Sequence, residues 1–178
     1  MTALARQAVA ALGSASATVA VAESLTGGLV CSALTAVPGS SACVLGGVVS
    51  YTVGAKVRLL GLSPQLLAEV GPVHPWVAEA MARAVADHVG ADIGVSTTGV
   101  AGPEPHGGHD PGIAFIGWRS TRGKEPRSGC LEVRTQGDRD TVRAVVTQAA
   151  LEVVTLCARQ GTASATELTG NAVFFDRE

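Results

Sequence analysis

The sequence predicts a three-layer α/β/α domain built on a mixed, largely parallel sheet. Three observations carry that reading. Short apolar runs alternate with segments of helical period, the last two apolar runs stand close enough to form a hairpin, and neither an internal repeat nor a linker divides the 178 residues. Alternating strands and helices bury a sheet between two helical layers, and a chain of this length suits one core. One domain is expected over residues 1–160, with 161–178 as a tail.

Each element has its own signal. MTALARQAVAALGSA pairs Leu4 with Ala8 and Ala8 with Leu12 at i, i+4, as a helix does. TVAVA (18–22) is a short apolar strand. GGLVCSALTAV reads as a helix of small and apolar residues that Pro38 and Gly39 stop, and LGGVVSYT (45–52) as a second strand. KVRLLGL is a helical turn, after which Ser63 and Pro64 supply the cap and first position of another helix. In HPWVAEAMARAVADHVG, Val77, Ala80, Met81, Ala84, Val85 and His88 form an apolar stripe, with Glu79, Arg83 and Asp87 on another face.

ADIGVSTTG (91–99) is the third strand. GIAFIGW (112–118) and SGCLEVRT make the hairpin around the polar turn RSTRGKEPR. Asp138 opens a long helix with Val142, Val145, Val146, Ala149, Val153, Val154 and Cys157 on its apolar side. The remaining GTASATELTGNAVFFDRE has no period and reads as a loose tail, with docking of NAVFF on a neighbour as the alternative.

Hydrophobic residues make up 47% of the chain and aromatics 3%, so the core must be mostly Ala, Val and Leu. No apolar run is read as a membrane span, and the N-terminus lacks the apolar centre of a signal peptide. A cytoplasmic protein is expected. A net charge of −2 argues against a nucleic-acid binder. The four cysteines are widely spaced without a CxxC pair, which favours neither a disulfide framework nor a zinc site. Metal and cofactor are not expected, and Ala-rich helices make a homodimer or higher homo-oligomer the expected assembly.

Ligands of open α/β sheets gather in loops beyond the strand ends, and three such loops are rich in chemistry. In AESLTGG, Ser24 or Thr26 suits a helix cap; Gly27 and Gly28 equally allow an oxyanion or phosphate to approach the helix N-terminus. SYTVGAK contains the sole tyrosine, Tyr51, and one of only two lysines, Lys56, among 13 basic residues. A site that needs a neutral amine cannot use arginine. A desolvated lysine serves. Lys124, in the polar turn, looks ordinary. The third loop, STTGVAGPEPHGGHDPG, places Thr98, Gly99, Ala101 and Gly102 in line, small enough for their amides to face a ligand. His106, His109 and Asp110 are candidate metal ligands, disfavoured because a Gly/Pro-rich loop holds them poorly.

AESLTGG, GSSACVLGGVVSYTVGAK, STTGVAGP and GDRDTVR, in that order over about residues 4–158, resemble the CinA C-terminal domain family, whose enzymatic members are nicotinamide mononucleotide deamidases. The resemblance implies hydrolysis of the carboxamide of nicotinamide mononucleotide, with Ser24 as nucleophile beside Tyr51 and Lys56. It also implies a pyridine mononucleotide bound by the 98–102 loop, with a basic contribution from Arg139. The family's longer members carry a further N-terminal domain, and this chain resembles the stand-alone form.

No histidine lies in the matching motifs, so Lys56 is the natural base. Tyr51 is expected to orient it or relay a proton, and the amides near Thr26, Gly27 and Gly28 to hold the oxyanion. Leu25 stands where a cysteine is common, and Thr98 keeps the hydroxyl of a frequent serine. His74 stands in place of a serine and is expected to cap a helix. Residues 104–111 depart most from the pattern and bear on substrate preference. The competing readings are a nucleotide-sensing or interaction module without catalysis, and an amidase for another nucleotide.

Overall fold

The computed structural model describes residues 2–168 and 173–177. In chain order the elements are α1 (Thr2–Ser14), β1 (Val19–Glu23), α2 (Leu29–Thr35), β2 (Val44–Val49), α3 (Val53–Leu60), α4 (Pro64–Val70) and α5 (Pro75–Val89). β3 (Ile93–Gly99), β4 (Ile113–Ser120), β5 (Arg127–Arg134), α6 (Arg139–Gln160) and β6 (Val173–Arg177) complete the described fold. The six strands form one sheet in the order β2-β1-β3-β4-β5-β6.

Side chains of β1 alternate between two cores, as a strand buried on both faces must. Val19 and Val21 join α1, α2 and α6 on one face, against Leu12, Leu34, Val146 and Val154. Ala20 and Ala22 face the other layer, where Leu60 of α3, Leu67 of α4 and Val77, Met81 and Val85 of α5 pack. The three-layer expectation therefore holds.

The sheet is mixed, but less parallel than the sequence suggests. β1 pairs in parallel with β2 and β3, while β3-β4, β4-β5 and β5-β6 are antiparallel. The extra antiparallel pairing comes from the tail. Instead of hanging loose, Val173–Arg177 runs antiparallel along β5. Main-chain hydrogen bonding to an open edge needs no side-chain period. The other residues of NAVFF, 171 and 172, lie outside the described residues.

α6 has the length and apolar composition of a membrane span, a property not anticipated from the sequence. Its apolar residues are spent on the core instead: Val142, Val146, Leu151, Val153 and Val154 are fully buried.

α5 lies close on the sheet because two strand positions lack side chains. A methyl at Gly94 would overlap the carbonyl of Ala82, and one at Gly117 the carbonyl of Ala78. Gly94→Ala should therefore cost about 1–3 kcal/mol through overpacking. Gly13→Ala, whose added carbon meets nothing within 4 Å, should be neutral or slightly stabilising. Urea unfolding of the two variants checks the contrast.

Candidate active site

Three strand ends meet by topology. β1 lies between its parallel neighbours, and the register sets Glu23 opposite both Val49 of β2 and Thr97 of β3. The connection through α2 crosses one face and that through α3, α4 and α5 the other, so the chain reverses its winding at β1. Ligand crevices open at such switch points. The loops beginning at Ser24, Ser50 and Val100 stand side by side there. They border a cavity of about 420 Å³ lined by Ser24, Leu25, Tyr51, Lys56, Thr98, Gly99, Ala101, Gly102, Glu104, His106 and Arg139, among others.

Ser24 follows the last residue of β1, and its amide still donates to Thr97 O at 2.9 Å. The chain then turns through Gly27 (φ 62°) and Gly28 (φ 100°), conformations that favour glycine. This turn delays α2, which starts at Leu29 rather than at the glycines.

What closes the turn is Glu23, a residue to which the sequence reading gave no role. Its buried carboxylate accepts from Thr26 Oγ1 (2.7 Å), Gly28 N (2.9 Å), Val30 N (3.1 Å) and Cys31 N (2.8 Å). The start of α2 is thus occupied by the protein's own anion. Thr26 turns away from the cavity, with its hydroxyl between Glu23 and Thr97, and neither Gly27 nor Gly28 lines the cavity. The expectation that substrate meets the Thr26 hydroxyl or the Gly27 and Gly28 amides is corrected, since those groups are spent on Glu23, Thr97 and Ser24 O. A glutamate ahead of a helix start is the signal that would have revealed this role. Arg143 of α6, also missed, braces the turn by donating to Leu25 O (3.1 Å) and Thr26 O (3.2 Å). The amides of Leu25 and Thr26 have no acceptor among the described residues.

Lys56 sits one turn into α3, whose start Thr52 caps by accepting from Ala55 N (3.1 Å). It is 1% exposed, among the largest fully buried side chains. Its Nζ lies 2.9 Å from Ser24 Oγ and 2.9 Å from Ser50 O. Burial disfavours the ammonium and lowers its pKa from 10.5 to about 8. A buried amine poised near neutrality against a serine hydroxyl is the arrangement of a general base with its nucleophile.

Tyr51 does not join that pair by a hydrogen bond. It is 57% exposed, and its hydroxyl accepts from Arg139 Nη2 (2.9 Å), while Arg139 Nη1 donates to Gly102 O (3.0 Å). The expected orienting of Lys56 by Tyr51 is therefore replaced by a strap from the β2 loop through α6 to the β3 loop. Thr98 lines the cavity, yet its hydroxyl is committed to Pro72 O at 2.8 Å.

Residues 106–109 form a two-residue hairpin in which His106 and His109 exchange both main-chain bonds. Gly107 and Gly108 take positive φ (59° and 79°), as a tight hairpin turn demands. The hairpin separates its two imidazoles. His106 lines the cavity, whereas His109 packs edge-on against Phe115 at 5.5 Å. Glu104 and His106 were not singled out as substrate contacts by sequence. His74 accepts from Trp76 N at 3.2 Å and caps α5, as expected.

The class defined so far is an α/β/α domain with a switch-point cavity that holds a buried serine–lysine pair. The sequence model of the CinA C-terminal domain matches residues 1–158, and the chain belongs to that family. It is 45% identical over 139 residues to a CinA-like protein of Frankia casuarinae, covering 78% of this chain and 31% of that protein. It is also 45% identical over 138 residues to a putative competence-damage inducible protein of Moorella thermoacetica, covering 75% and 32%. The chain thus spans about a third of the length of these relatives.

Among solved structures, a CinA superfamily protein from Klebsiella pneumoniae superposes with TM-score 0.81 at 26% identity, covering 88% of this chain and 96% of that one. The competence/damage inducible protein CihA from Agrobacterium tumefaciens gives 0.80 at 31%, covering 89% and 95%.

The lowered pKa of Lys56 carries a stability cost with a definite sign. Between about pH 8 and 10.5 the unfolded chain holds the proton that the folded chain has lost. Stability therefore rises with pH across that window, and the penalty is complete below it. Lys56→Met should be more stable than wild type at pH 7, by on the order of 2–3 kcal/mol. That gain should shrink as pH climbs from 8 to 10.5, which denaturant unfolding at stepped pH measures.

Proposed function

We propose that the protein hydrolyses the carboxamide of nicotinamide mononucleotide, giving nicotinic acid mononucleotide and ammonia. The observation that carries this reading is the 2.9 Å contact between Ser24 Oγ and the buried Lys56 Nζ. Family membership and the motif resemblance support the choice of substrate.

Lys56, as the free amine, takes the Ser24 proton while Oγ adds to the amide carbon and the carbonyl electron pair moves onto oxygen. The unpaired amides of Leu25 and Thr26, which follow the nucleophile directly, are the nearest donors for that oxyanion. Collapse returns the pair to the carbonyl and expels the amine, which carries off the proton from the Lys56 ammonium as ammonia. The ester left on Ser24 is then cleaved by water that Lys56 deprotonates. Arg139 spends one N–H on Tyr51 and one on Gly102, and its remaining donors suit a phosphate. Glu104 and His106 complete the lining with further polar groups, which suits a nucleotide better than a plain apolar amide.

Ammonia release from nicotinamide mononucleotide tests the reading. Ser24→Ala should lower kcat by a factor on the order of 10³ or more. In wild type, kcat/KM should rise with pH to about 8, where Lys56 loses its proton, and level off above. Arg139→Ala should raise KM roughly 10- to 100-fold with a smaller change in kcat. Tight nucleotide binding by wild type without turnover would instead identify a sensing module. Turnover of another nucleotide amide in a substrate panel would reassign the substrate.

A further inference from the structure

Ser50 stands between the end of β2 and Tyr51 and is wholly buried. Its main chain is satisfied: the amide donates to Glu23 O at 2.8 Å, and the carbonyl accepts from Lys56 Nζ at 2.9 Å. Its side chain is not. Ser50 Oγ is the one buried side-chain polar atom without a hydrogen-bond partner among the described residues. Such a group destabilises the fold, and alanine would avoid the cost. An unpaired hydroxyl in the residue whose carbonyl holds the Lys56 amine calls for a reason.

Proton counting supplies one. A neutral amine has two N–H groups and a lone pair, whereas an ammonium has three donors and no lone pair. Lys56 reaches two acceptors, Ser24 Oγ and Ser50 O. With its lone pair toward Ser24 and one N–H given to Ser50 O, the amine keeps one further N–H, which becomes a stronger, charge-assisted donor when Lys56 takes the proton. Alternation along the strand puts Ser50 on the face of Val48, which packs with α3, α4 and α5, and Lys56 arrives from α3 on that side. Gly47, the residue of opposite parity, faces Cys31 of α2.

We propose that Ser50 Oγ rotates to accept this remaining N–H of Lys56, an acceptor worth most to the ammonium that forms when Lys56 takes the proton from Ser24. Ser50 is thus a positioning residue that acts through the base. The proposal rests on Lys56 being the base of the reaction described above. The bond that forms is Ser24 Oγ to the amide carbon. The carbonyl pair moves to oxygen, and the proton rests on Lys56 until the leaving amine claims it.

The lysine count gives a direct probe, because Lys56 and Lys124 are the only two in the chain. In protein labelled with ¹³C at lysine Cε, Lys56 titrates beside Lys124 as an internal control. In Ser50→Ala the Lys56 midpoint should fall by about one pH unit, since an acceptor of the charged form is lost. Lys124 should not move. The acid limb of kcat should shift down with Lys56, kcat on the plateau should fall several-fold, KM should hold, and the melting temperature should stay level or rise.

The other ionisable groups near the pair are Glu23 behind Ser24, Arg143 on the Leu25 and Thr26 carbonyls, and Tyr51, Glu104, His106 and Arg139 around the cavity. On α5, Glu79, Arg83 and Asp87 line a separate groove beside Leu60 and Leu62. Ser50→Ala alters none of them. An unchanged Lys56 midpoint overturns the proposal, whether kcat falls or not. An absence of amide turnover by wild type would refute the enzymatic reading instead, and the lysine titration would still judge Ser50.

Discussion

One buried contact, Lys56 Nζ on Ser24 Oγ, constrains everything around it. A primary amine in the interior costs stability in its charged form and is retained only where its neighbours fix it. Each neighbouring element ends where that contact needs it to. β2 stops at Val49, so the Ser50 carbonyl is released from the ladder to hold the amine. Thr52 caps α3 immediately afterwards, which puts Lys56 one turn into a rigid helix. β1 stops at Glu23, one residue before the hydroxyl that Lys56 meets. Desolvation is at once the cost of the arrangement and the source of its reactivity, since the same burial brings the amine to about pH 8.

Glu23 is the buried counterpart of Lys56 on the other side of Ser24. Two ionisable groups are buried beside Ser24, Glu23 preceding it in the chain and Lys56 meeting its hydroxyl, and their surroundings differ in kind. Lys56 has two partners and an open side toward the cavity. Glu23 is saturated by one hydroxyl and three amides and points away from it. The carboxylate neutralises the positive end of α2, so an incoming anion finds no free helix terminus beneath Ser24. Under the proposed function, recognition of a phosphate then falls to Arg139, which lines the cavity.

The sequence was legible where a local rule acts alone. Pro64 after Ser63, Asp138 before α6, and the stripe of α5 set those elements within a residue or two, because caps and periodicity are properties of neighbours in sequence. Lys56 was legible for another reason: in an arginine-rich chain, a lysine in a strand-end loop is chemically distinctive. The failures share one cause. Thr26, Gly27 and Gly28 looked like ligand groups because a helix start next to hydroxyls advertises free amides. The Gly28 amide is spent on Glu23 and the Gly27 amide on Ser24 O, pairings fixed by the folded turn rather than by residue type. Tyr51 was joined to Lys56 by proximity in sequence, yet its hydroxyl meets Arg139, 88 residues away. The final strand was illegible because it docks through its backbone.

The same division explains how the cavity's two ends differ. Ser24 and Lys56 are buried, and nothing about their geometry waits for a ligand. Tyr51 and Arg139 are exposed, and hydrogen bonds at such a surface contribute little to folding. Their three-point strap to Gly102 therefore cannot be explained as a stabilising device. What it does accomplish is orientation, since a guanidinium held by two fixed acceptors loses less freedom when it meets a third. A ligand covering the strap would also exclude water from it and strengthen bonds that are weak in the free protein. Under the proposed function, the outer residues then set affinity through pre-organisation, and the inner pair sets the rate.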